Sequence, residues 1–163
     1  MIELRLAKVT MVASLALFAL LVTFNNITDY GVNFAFVRHV LSMDTVPSGN
    51  QLAWRAIATP ALWHAAYCLI IVCEGLTGIA FSVGAVEMIA SINANAAVFN
   101  RSKRFAFIGA ATGFLIWFFG FMVVGGEWFG MWQSPVWNGQ AAAFRFYMAM
   151  LGVAIFVAQD EHD

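Results

Sequence analysis

Four long apolar runs decide what this chain can fold into. They cover about residues 6–24, 61–86, 105–124 and 141–158. Each is close to the ~20 residues with which a helix crosses ~30 Å of hydrocarbon. Lipid offers no water to backbone N–H and C=O groups, so only helices and closed barrels span it. The barrel signature, strands of ~10 residues with alternating polarity, is missing from the sequence. The expected fold is therefore all-α, a four-helix transmembrane bundle forming a single integral membrane domain over 1–163. Composition agrees: 62% of residues are hydrophobic and only 10% charged. Soluble domains carry about 25% charged residues to cover their wet surface. A net charge of −1 supplies no basic field for nucleic acid.

The placement of Lys and Arg orients the spans. Arg5 and Lys8 stand at the start of the first run, and Arg101, Lys103 and Arg104 separate the second from the third. The connection between runs one and two holds only Arg38 and Arg55, and that between three and four holds none. Both termini are expected on the cytoplasmic side. The first run ends in Thr23, Phe24, Asn25 and Asn26 rather than at a small-residue cleavage site, so it is read as an uncleaved span. Trp54, Trp63, Trp128, Trp132 and Trp137 then fall at the outer boundary, where indoles prefer the headgroup layer.

The outer connection over 25–60 is too long to be a simple link. Phe34, Val37, Val40 and Leu41 share one face at helical spacing, which predicts a short helix over 32–43, with Thr28 or Asp29 as its cap. A turn at 47–50 and a further short helix over 52–57 lead to Pro60. Together these form a predicted outer, periplasmic cap of short helices.

Few residues offer chemistry. Glu74 lies inside the second run, on one stripe with Tyr67. A carboxylate at that depth needs a partner or water. Arg145, one turn into the fourth run, is the expected partner. Three readings stand: an ion pair that fixes helix register, a proton or ligand site, or Arg145 reaching out to the headgroups. His39 and His64 raise the question of haem, yet only His64 falls within a run and no CxxCH occurs. No metal or cofactor is expected. Cys68 and Cys73 read as inert thiols. Gly109 to Gly113, and Gly75, Gly78, Ala80 and Gly84, form smooth strips suited to packing within the chain or against another subunit. Walker A, HExxH and GxSxG motifs are absent, so the expectation is a protein that is not an enzyme.

The stretch from Asn25 through Asp29, Tyr30, Asn33, Arg38, His39 and Asp44 to Thr45, followed by Trp54 and Arg55, resembles a bacterial family of predicted small integral membrane proteins of unknown function. The resemblance covers essentially the whole chain. It implies a multi-pass protein of the bacterial inner membrane and supplies no activity, substrate or cofactor. Its polar and aromatic residues concentrate in the outer connection, so Asp29, Tyr30, Asn33, Arg38, His39, Asp44, Trp54 and Arg55 are the candidate partner-binding residues. The expected function is an accessory or assembly subunit that meets lipid and other membrane proteins. The alternatives are a small proton-coupled transporter using Glu74 and Arg145, and a haem-carrying electron-transfer anchor.

Overall fold

A computed structural model describes residues 2–162. Among these residues there is no strand, and the order of elements is α1 (Ile2–Thr28), α2 (Tyr30–Ser42), a 3₁₀ turn at Ala53–Arg55, α3 (Pro60–Ala90), α4 (Ala96–Ser102), α5 (Arg104–Phe114), a π-helix at Leu115–Trp128, a 3₁₀ turn at Met131–Gln133, and α6 (Gln140–Ala158). Ile2–Thr28, Pro60–Ala90, Ala96–Trp128 and Gln140–Ala158 are long and apolar enough to cross a membrane. The chain is thus an all-α bundle with four candidate spans.

The spans run past their apolar runs because nothing stops a helix at the edge of hydrocarbon. α1 has 27 residues, about 40 Å at 1.5 Å per residue. It therefore carries Arg5, Lys8 and Asn26 as helical residues and breaks only at Asp29. Asp29 occupies the N-cap position of α2, but its side chain makes no capping bond. Pro60 opens α3 after Thr59, whose backbone is extended, the place where proline costs a helix nothing. Asn95 caps α4 by accepting from the Val98 N–H at 3.0 Å.

The third span changes character at Leu115, where the α turn widens into a π turn. The step of five is visible at its end, where the Phe129 N–H donates to the Val124 carbonyl at 3.0 Å. Hydropathy does not separate α from π turns, since both keep the same apolar run.

α3 lies between α1 and α5, while α6 packs against α5, the π-helix and α1. α3 and α6 therefore occupy opposite corners of the bundle. The small-residue strips serve contacts within the chain. A Cβ added at Gly84 would sit 2.7 Å from the Ala106 backbone N, and one at Gly109 would sit 2.8 Å from the Phe81 ring. Such approach leaves no space for a methyl group. Gly84→Ala should lower the unfolding free energy by about 2 kcal/mol through overpacking. Gly152→Ala, with nothing within 4 Å of the new atom, should not destabilise. Denaturant unfolding in detergent micelles compares the two, and equal effects would remove the close approach as the reason for Gly84.

Candidate functional site

Glu74 is buried, and its partner is Asn26 rather than Arg145. The Asn26 side-chain amide donates to a Glu74 carboxylate oxygen at 2.7 Å. Asn33 of α2 donates in turn to the Asn26 side-chain oxygen at 2.6 Å, and the Tyr67 hydroxyl reaches the Asn26 carbonyl at 3.4 Å. The result is a polar seam between α1 and α3 that runs from the surface at Asn33 inward to Glu74. Arg145 is exposed on α6, and no ion pair involves it among the described residues. The expected Glu74–Arg145 pair fails because α3 and α6 are diagonal in the bundle. Arg145 lies in the first turns of α6 and points away from the interior, in keeping with the headgroup reading.

The end of the bundle where α1 joins α2 gathers the remaining candidate residues. α2 spans nearly the predicted range, and its Val37, Val40 and Leu41 are buried as the spacing requires. It crosses from α3, where Phe34 stacks on His64 at 4.1 Å between ring centres, to the start of α6, where His39 stacks on Trp137 at 4.6 Å. Tyr30 shares a hydrogen bond with His64 Nδ1 at 2.9 Å. His39 Nδ1 meets the Asp44 carboxylate at 2.8 Å, with Arg38 against its other ring nitrogen at 3.5 Å. The two histidines thus sit in separate ring stacks. Asp29 stays exposed, without a described role beyond ending α1.

Hydrogen bonds tie the 43–57 and 127–139 segments to each other. The Asn50 amide donates to Gln133 Oε1 at 2.8 Å, and Thr45 and Ser134 share a hydroxyl bond at 2.8 Å. Arg55 donates to the Trp128 carbonyl at 3.1 Å. Its guanidinium lies 4.4 Å from the Trp128 ring and 5.4 Å from the Trp54 ring. Such contacts add about 0.5–1 kcal/mol each at exposed sites. Trp54 remains 72% exposed and Trp132 55% exposed. The predicted short helix at 52–57 is present only as the single 3₁₀ turn Ala53–Arg55.

Beneath α2, between α3 and the third span, lies a cavity of about 480 Å³. Val37, Val40, Leu41, Phe129 and Met131 close it at the α2 end, and Ala66, Ile70, Leu115 and Gly120 stand along its sides. Its one hydroxyl, that of Thr112, is committed: it lies 3.0 Å from the Ile108 carbonyl and accepts from Thr77 at 3.1 Å.

The opposite end of the bundle holds the residues that sequence reasoning missed. Arg5, Lys8, Lys103 and Glu161 are all buried. Lys8 Nζ donates to Glu161 Oε1 at 2.7 Å and to the Gln159 carbonyl at 2.6 Å. Lys103 Nζ reaches the same carbonyl at 2.8 Å, and Arg5 Nε lies 3.5 Å from Glu161 Oε2. Burial opposes ionisation of Glu161, yet the Lys8 hydrogen bond and charge, with Lys103 and Arg5, outweigh it and hold the carboxyl below its ordinary value of 4.5. The signal in the sequence was a cluster of basic residues matched by acids at 160–163. The orientation rule uses the basic residues alone and says nothing of their partners.

No curated protein and no solved structure matches this chain. A family model does, over residues 4–160, which takes in nearly all of the four spans and the Asn26–Glu74 seam and ends one residue before Glu161. The chain belongs to the family described as predicted small integral membrane protein (DUF2165).

Proposed function

We propose that this membrane protein is a non-catalytic accessory or assembly subunit that holds partner membrane proteins through the face built from α2, the 43–57 segment and the 127–139 segment. One observation carries the reading. At that face the polar groups are used in tying the two segments together, which leaves a braced surface with exposed indoles at Trp54 and Trp132. Rigid, exposed Trp on a pre-organised support is what interfaces use as anchors. The Lys/Arg asymmetry turns this face outward, to the periplasm of a bacterium, with both termini cytoplasmic.

The reading is tested in whole cells. A membrane-impermeant thiol reagent should label Val136→Cys and should spare a cysteine at Val98, at the other end of the bundle. A photoreactive residue at Trp132 should form a discrete protein adduct, and one at Val98 should not. Trp54→Ala with Trp132→Ala should weaken that association by about 2 kcal/mol per anchor and lower stability by no more than the ~1 kcal/mol of the lost Arg55–Trp54 contact. Labelling at Val98 alone, or no adduct at Trp132, sinks the reading.

A further inference from the structure

We propose that the cavity beneath α2 holds one acyl chain of a bilayer phospholipid. This site lies on the inner side of α2 and of Phe129 and Met131 and does not use the indoles of the partner face. Three observations select that occupant. The first is depth. The α3 residues along the cavity run from Ala66 to Leu76, about 15 Å of helix at 1.5 Å per residue. That is half of a ~30 Å hydrocarbon core, the reach of one leaflet.

The second is chemistry. The Thr112 hydroxyl is already committed to Ile108 and Thr77. Nothing else in the wall carries a side-chain oxygen or nitrogen, so the occupant is apolar along its whole length. The third is access. Leu69 is 63% exposed and Leu115 59% exposed on the flank of the cavity. The opening is therefore continuous with the lipid-facing surface of the spans, while α2 closes the end. A partner's spanning helix does not fit. A helix is ~10 Å across, and α2 closes the end of the cavity that such a helix would have to pass.

The experiment uses the full chain in phosphatidylcholine vesicles containing a phosphatidylcholine with a mid-chain diazirine. After irradiation, mass spectrometry maps the adducts. Adducts at Ile70, Cys73 and Ile116, which line the cavity and are not exposed, should exceed those at Leu17 and Ile155, two exposed lipid-facing residues on α1 and α6, by about tenfold. A probe with the same chain on phosphatidylglycerol should give the same map, because the wall reads the chain and not the headgroup. Gly120→Phe should remove the excess. A Cβ there meets only the Leu115 carbonyl oxygen, at 3.8 Å, so the ring enters the cavity without a backbone clash. Equal labelling of cavity and outer residues in the unaltered chain overturns the proposal, as does an excess that survives Gly120→Phe in a chain with normal unfolding. The map of the unaltered chain decides the matter even if that variant misfolds.

Discussion

Asn26→Ala should lower the unfolding free energy by about 3 kcal/mol, more than any single change at Glu74. The amide of Asn26 is what meets the Glu74 carboxylate inside the bundle. Removing it leaves a buried carboxyl without its donor, a cost at the top of the ~1–3 kcal/mol of a buried polar group left unsatisfied. It also deprives Asn33 of its acceptor. Glu74→Gln keeps an acceptor for the Asn26 amide and removes the ionisable group, so it should cost less than ~1 kcal/mol. In the Glu74→Gln background the Asn26→Ala penalty should shrink, because the stranded group is then an amide and not an ionisable carboxyl. Unfolding of all four forms in one detergent gives the cycle. Additive effects, with no shrinkage, would show that Asn26 contributes by packing alone.

The second large effect belongs to the other end. Glu161→Ala should cost about 3 kcal/mol, since removing one partner of a buried ion pair strands the other. Here the stranded group is Lys8, whose side chain has no exposed surface. Lys8→Met combined with Glu161→Met should recover much of the loss, because a buried pair is replaceable by apolar side chains of similar size. The pH dependence follows from the lowered carboxyl of Glu161. A group whose value is lower folded than unfolded stabilises above its unfolded value and loses that contribution as pH falls through the folded one. The Glu161 contribution should be present above the ordinary 4.5 and decline as pH falls below it, with the decline reduced in Glu161→Ala. Hydrogen exchange across 155–162 distinguishes release of this segment from global unfolding, and unchanged exchange in Glu161→Ala would contradict the described contacts.

Hydropathy makes the four spans legible because lipid admits so few backbone arrangements. The buried face of α2 is legible for the same kind of reason, a fixed period of 3.6 residues that places Val37, Val40 and Leu41 together. Partners across the bundle are not legible. Nothing in the length or polarity of a span says which other span it touches, so the sequence offers Glu74 only Arg145, a cation one turn into the fourth run. Its actual partner lies on α1, two residues past the end of an apolar run. Asn26 faces inward only because α1 remains helical there. Lys8 was hidden in another way: its burial depends on residues 159–161 returning to the first helix, a contact that no local pattern encodes.

That return has a consequence in time. Lys8 and Glu161 are separated by 153 positions of chain. At about 5–20 residues per second, Lys8 waits roughly 8–30 s for its counter-charge during synthesis. Over that interval its ammonium must stay with water and lipid phosphates, which pins the start of α1 to the membrane surface while the other helices enter. Closure of the bundle around Lys8 is thus deferred until the fourth span is in place. A ribosome that stalls before Glu161 leaves an open, basic end by which an unfinished copy differs from a finished one.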